Sequence, residues 1–315
     1  MIRLLQPQNK IVLEPCLSMA TTSMVKEMQK SLEEIRTALQ SSHHLEDTNL
    51  YVLEVNLEKL VDITGSIDNA MEVQAPLSMS VYTNKEGGFV LTLWCPDFEK
   101  IGGFSQLLPL LQVESPVVRS QAAELVAVLC QNNPYCQQAA LREKLLPKLL
   151  QLVDSDPDDT VSVKALYAVS CLARQSPILQ EEFDKLDGFS YVLRAMQRTQ
   201  IPKLRTKSAF LLSSLCHQNP AFRDTLYRMG LVEQLAALLR SDHDLSHEHL
   251  LSLLLAMARD HAPSRQACQR PELQLSSLLR ERLTSLGGKE EYREESEYCR
   301  QILQLCFNSQ DDLER

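Results

Sequence analysis

Pro134, Pro177, Pro220 and Pro263 stand 43 residues apart, and this spacing limits the fold more than any other feature of the chain. A fixed period in the forties, with helical patterning inside it, belongs to arrays of stacked helical repeats. In such arrays the core grows along one axis, unit by unit, and no unit buries its apolar face alone. The stretches leading into the prolines are SPVVRSQAAELVAVLCQNNP (115–134), DDTVSVKALYAVSCLARQSP (158–177), PKLRTKSAFLLSSLCHQNP (202–220) and SHEHLLSLLLAMARDHAP (246–263). Three columns are apolar in every copy: Leu125, Ala168, Leu211, Leu254; Val126, Val169, Leu212, Leu255; and Leu129, Leu172, Leu215, Ala258. A fourth holds the small residues Ala122, Ala165 and Ser208. Offsets of three and four place these columns on one buried helix face. Each proline is expected to stop its helix, because the ring lacks an N–H and clashes with the preceding turn.

Between the long helices lie shorter amphipathic ones, most of them entered through glycine: IGGFSQLLPLL (101–111), LDGFSYVLRAM (186–196) and MGLVEQLAALL (229–239). The second copy, LREKLLPKLLQLV (141–153), has lost its glycine. The unit therefore reads short helix, packing helix, long helix, which is the armadillo order. Aromatics at 5% and only 9 glycines in 315 residues also disfavour strands and their turns. The expected fold class is all-α, a right-handed armadillo-repeat solenoid with helical caps at both ends. The expected divisions are an irregular segment 1–21, capping helices in 22–70, an inserted loop 71–96, about four repeats in 97–263, and a helical cap 264–315.

The insertion is legible because Asn69 stands where a repeat proline belongs. The motif DFEKIGGF, the counterpart of EFDKLDGF, then starts late, at Asp97. The intervening MEVQAPLSMSVYTNKEGGFVLTLWCP holds the only tryptophan, Trp94, and a strand-like run at 89–93. It is expected to be a disordered loop, with any strand confined to it, since loop insertions cost little stability.

The formal charge of −9 argues against nucleic acid as a partner, and no apolar run of 18 residues predicts a membrane span. Residues 1–17 lack the apolar core of a secretory signal, and nine scattered cysteines without a CxxC pair suit reduced thiols. The expected compartment is the cytoplasm. No Walker loop, GxGxxG, GxSxG or HExxH is present, so no catalytic residue and no cofactor are expected. His243, Asp244, His247, Glu248 and His249 form the densest ligand-like cluster, but they sit at a helix start, where polar residues cap, so no metal is expected.

What remains is a surface for another protein. In an armadillo unit the third helix lines the concave face. The residues on the third helices opposite the buried columns are Gln121, Glu124, Val128 and Gln131, then Lys164, Tyr167, Cys171 and Arg174. In the next two copies they are Lys207, Phe210, Ser214 and His217, then Leu250, Leu253, Met257 and Asp260. Aromatic and cationic side chains along one stripe suit a protein interface.

The segments DTVSVKALYAVSCLARQ, LDGFSYVLRAMQ, KLRTKSAFLLSSL and EEYREESEYCRQILQLCF resemble the cytosolic armadillo-type nucleotide exchange factors of 70-kDa heat-shock chaperones. The resemblance covers nearly all of 97–315 and, more loosely, 22–70. It implies a monomer, not an enzyme, whose concave face grips the ATPase domain of the chaperone and promotes ADP release. The rival readings are a generic armadillo scaffold and a nuclear-import adaptor. The latter needs ladders of tryptophan and asparagine, whereas the matching columns hold Glu124, Tyr167, Phe210, Leu253 and Val128, Cys171, Ser214, Met257.

Overall fold

The computed structural model describes residues 15–40, 47–73, 82–83, 89–90, 95–174, 176–198 and 200–307. They fall into two compact units, Met1–Leu152 with Tyr167–Leu172, and Val153–Leu166 with Ala173–Arg315.

The first unit opens with α1 (Pro15–Gln40) and α2 (Asp47–Val73), which pack on each other. Met28, Leu32 and Ile35 of α1 and Leu53, Leu57 and Leu60 of α2 recur at helical spacing and are fully or almost fully buried. Asn56 ties the pair by donating to Glu34 at 2.9 Å. α1 begins at Pro15 rather than at residue 22, and α2 runs on to Val73 rather than stopping by residue 70. Two short strands lie within the insertion and pair antiparallel, Tyr82 opposite Val90 and Thr83 opposite Phe89. The rest of the insertion between Val73 and Cys95 lies outside the described residues, as does the expectation of an irregular start over 1–14.

Triplets of helices follow. The first is α3 (Cys95–Lys100), α4 (Gly103–Leu110) and α5 (Pro116–Cys130); the second is α6 (Pro134–Arg142), α7 (Leu145–Ser155) and α8 (Asp159–Ala173). The third is α9 (Pro177–Lys185), α10 (Gly188–Gln197) and α11 (Pro202–Gln218); the fourth is α12 (Ala221–Arg228), α13 (Leu231–Leu238) and α14 (His247–Arg259). The tail continues in the same order with α15 (Ala262–Cys268), α16 (Leu275–Leu286) and α17 (Arg293–Phe307). Among the described residues from Cys95 onward there is no strand.

The prolines do not stop the long helices; they start the short ones. Pro134 and Pro177 are the first residues of α6 and α9, Pro263 is the second of α15, and Pro220 is the N-cap of α12. A proline costs nothing at a helix start, where its missing N–H would find no intrahelical partner. The side chains of Asn133, Ser176 and His261 cap three of these starts by accepting from Cys136, Leu179 and Ser264 N–H.

Entry to each middle helix needs a left-handed residue. Gly102 (φ 79°), Lys144 (φ 53°), Asp187 (φ 57°) and Gly230 (φ 74°) fill that position, so the copy without glycine keeps the conformation. The glycine one residue later has a different duty. A Cβ on Gly103 or Gly188 would lie 2.4 Å or 2.5 Å from the ring of Phe98 or Phe183, each of which packs edge-on to the next phenylalanine.

A buried polar column fixes how each long helix is turned. Arg119, Ser162 and Arg205 are buried at 43-residue intervals, but the next buried member is His247, not Glu248. One residue is thus dropped before α14, and Pro263 keeps the 43-residue spacing only by standing one position further into its helix. Arg119 donates to the Val113 and Glu114 carbonyls, Arg198 donates to Ser162, and Arg205 donates to Asp244 and Ser246. His247 donates from Nε2 to Leu238 O at 3.3 Å, while its Nδ1 accepts from Asp244 N–H at 3.0 Å. These bonds define the neutral Nε2–H tautomer, since a carbonyl cannot donate and an amide N–H cannot accept.

Candidate partner-binding surface

In the first unit, Gln121, Glu124 and Val128 lie half-buried along α5. Tyr167 on α8 is half-buried, and its hydroxyl donates to Gln131 Oε1 at 2.7 Å, which sets the ring against the end of α5. Cys171 departs from expectation: only 3% of it is exposed, so it is part of the core. Gln137 accounts for its position, because Nε2 donates to both Cys130 O and Cys171 O and draws the ends of α5 and α8 together.

In the second unit, Lys164, Arg174, Lys207 and Ser214 are half-buried, and Phe210 is 47% exposed. The guanidinium of Arg174 lies 5.1 Å from the centre of the Phe210 ring, a cation–π contact that holds both side chains in place. The expected continuation on α14 fails, because Leu250, Leu253 and Met257 are fully buried. The slip before α14 is the cause: it turns the helix by one residue and brings His249, Ser252 and Arg259 to the positions expected of Leu250, Leu253 and Asp260. A groove of about 290 Å³ results, lined by Phe210, Ser213, Ser214, His217, His249 and Ser252. The polar spacing within α14 carried this signal; the proline register hid it.

The chemistry available here is recognition. Hydroxyls, imidazoles and an aromatic face line the groove. The thiol nearest to it in sequence, Cys216, is buried against Met257 Sδ at 3.9 Å, and burial pushes it up to about 12, too high for a nucleophile at neutral pH. Burial likewise pushes up Cys130 in the first unit. Six described cysteines are free, as expected of reduced thiols, but Cys136 is disulfide-bonded, which departs from that expectation. The histidine cluster forms a structural knot. His243 meets Glu295 at 2.9 Å and stacks on His247, and Arg282 approaches both Glu295 and His247 while donating to Leu239 O. Among the described residues no group of three or more His, Cys, Asp or Glu is arranged to hold a metal ion, and no helix is long and apolar enough to cross a membrane.

Comparison with known proteins places this architecture. Hsp70-binding protein 1 of Mus musculus is 39% identical over 250 residues, which cover 77% of this chain and 70% of the mouse protein. The chain belongs to the Hsp70-binding protein 1 family. The human member is 43% identical over 217 residues, covering 69% of this chain and 60% of its own. The SIL1/FES1/HPBP1 C-terminal domain family matches residues 95–225. The Hsp70 nucleotide exchange factor FES1 of Mycosarcoma maydis is 29% identical over 199 residues, 63% of this chain and 43% of that protein. Among solved structures, computationally designed armadillo repeat proteins for modular peptide recognition superpose with a TM-score of 0.62 at 16% identity, covering 91% of this chain and 99% of theirs. That likeness establishes the armadillo fold.

Proposed function

We propose that this chain is a nucleotide exchange factor of 70-kDa heat-shock chaperones and binds their ATPase domain through the exposed edges of its third helices. The observation that carries the reading is family membership, in which relatives are named for Hsp70 binding and for nucleotide exchange. The exposed aromatic Phe210 under Arg174, with Lys164 and Lys207 on the same helix edges, supports a protein partner. The mechanism is differential affinity. A factor that binds the opened, ADP-free ATPase domain better than the ADP-bound one lowers the affinity for ADP, and by reciprocity ADP weakens its own binding. No covalent step is required of any residue, so the chain acts as a co-chaperone and not as an enzyme, in the cytoplasm and as a monomer.

The test is release of labelled ADP from a 70-kDa chaperone. Wild-type protein should accelerate it. Tyr167→Ala with Arg174→Ala should weaken the effect about thirtyfold, the equivalent of about 2 kcal/mol lost at an interface anchor. Circular dichroism and melting must accompany the assay, because Tyr167 also braces Gln131. A folded double variant that works at the wild-type concentration would remove these residues from the interface; an inert wild type would remove the reading itself.

A further inference from the structure

Aligned by burial rather than by proline, the third helices of the second unit form two rows of basic and imidazole side chains. Lys164, Lys207 and His249 make one, and Arg174, His217 and Arg259 make the other. The groove lies on the α11–α14 part of this surface, with Phe210, Ser213, Ser214 and Ser252 between its two histidines. No aspartate or glutamate lines it, although acids outnumber bases 41 to 32 in the chain. His217 donates from Nδ1 to the Ser213 carbonyl at 2.7 Å, which fixes its ring at the groove. Glu248, next to His249, instead lines a separate acidic hollow with Glu290, Glu291, Glu294 and Glu297. The neighbours Glu248 and His249 of α14 thus line different hollows.

We infer that the groove between α11 and α14 seats a carboxylate-bearing side chain of the chaperone's ATPase domain, with His249 and Ser252 as its contacts and Arg174 and Arg259 as flanking charges. This rests on the exchange-factor reading and goes beyond it by extending the binding surface onto α14 and naming the chemistry of one occupant. Three features select a carboxylate over an apolar or cationic side chain: serine hydroxyls and the His249 imidazole, which can donate, the absence of any lining acid, and arginines on both sides. Charges matched across such a rim set orientation and encounter rate as well as affinity.

The experiment measures the concentration of exchange factor that half-maximally accelerates ADP release, for wild type, His249→Glu, Ser252→Glu and His249→Gln, with Arg280→Glu on exposed α16 as a charge control. Each new carboxylate in the groove should raise that concentration about tenfold or more, His249→Gln about two- to threefold, and Arg280→Glu not at all. Added salt should weaken the wild type more than the two glutamate variants. Ser252→Glu keeps the assignment testable if His249→Glu misfolds. Folded glutamate variants that act at the wild-type concentration would overturn the assignment and leave the exchange-factor reading standing. Tighter binding by those variants would identify a cationic occupant and overturn it as well. A wild type that leaves ADP release unchanged would remove the underlying reading and this assignment together.

Discussion

The third and fourth copies of the repeat carry the same kind of long helix and use the same sequence column in opposite ways. In α11, Phe210 stands 47% exposed beneath Arg174; in α14, Leu253, 43 residues on, is fully buried. The difference comes from a single residue. α14 reads HEHLLSLLLAMAR, apolar at nearly every central position, so either register satisfies the core columns. The polar residues decide, because His247 has buried partners at Leu238 and Asp244 whereas Glu248 faces the acidic hollow. A leucine-rich helix is turned by its few polar side chains, since either register keeps leucines in the core columns and only one leaves the buried polar group paired.

The comparison breaks most visibly on truncation. Leu253→Ala should cost about 3 kcal/mol of unfolding free energy, the usual loss for a buried leucine. Phe210→Ala, in the same column one copy earlier, should cost under about 1 kcal/mol, mostly the cation–π contact, while impairing partner binding. Urea denaturation of the two variants measures the difference. Similar losses would mean that the two helices are turned alike and that the slip is wrong.

The same two copies show how much of the molecule was legible in advance. Periodicity captured the long helices, because a helical apolar stripe repeated at 43 residues has few other folds open to it. The duty of the prolines was misread, since sequence cannot tell a helix stop from the first turn of the next helix when only a few residues separate them. The glycine entries were visible, but Lys144 adopts the same left-handed conformation without the residue that advertises it. Of the expected stripe, Lys164, Tyr167, Arg174, Lys207 and Phe210 stay at least partly exposed, whereas Cys171 is buried and its carbonyl accepts from Gln137. His249 and Ser252 were missed because the proline spacing, which Pro263 keeps by standing one position further into its helix, outvoted the polar pattern of α14. The partners of the histidine cluster, Arg282 and Glu295, come from the last two helices, beyond the reach of any local spacing argument.

A second contrast lies in the buried polar column. The third copy places Arg205 there, which stays charged at any ordinary pH, and the fourth places His247, 0% exposed. Burial, reinforced by the Arg282 guanidinium, holds His247 below the ordinary histidine value near 6.5. Asp244 and the stacked His243, itself paired with Glu295, are the other titratable groups around it. The sign follows from proton uptake. Below 6.5 the unfolded chain binds a proton that the folded chain refuses until lower pH. Stability from the neutral ring is therefore complete above 6.5 and declines as pH falls below it. Melting of wild type should accordingly drop between pH 7.5 and 5.5 more steeply than melting of His247→Gln. Parallel slopes would show that His247 is not the titrating group.

The smallest contrast concerns entry to the middle helices, where the third copy uses Asp187 at φ 57° and the fourth Gly230 at φ 74°. A Cβ built on Gly230 would meet only Glu233 Oε2, at an ordinary 3.7 Å, so space is not what requires glycine there. The left-handed backbone is, because an L side chain in it crowds the following carbonyl at about 1–2 kcal/mol. Gly230→Ala should therefore cost about 1 kcal/mol. Asp187→Gly removes the same strain from the third copy, but it also removes a carboxylate that accepts from Ser190 Oγ at 2.8 Å and adds unfolded-state freedom. These effects oppose one another, so the net change should stay within about 0.5 kcal/mol, as is usual for exposed sites. Chemical denaturation of both single variants separates the two contributions. A neutral Gly230→Ala would show that the joint can rearrange out of the left-handed region. A gain from Asp187→Gly as large as the loss from Gly230→Ala would show that the aspartate gives its turn no local support.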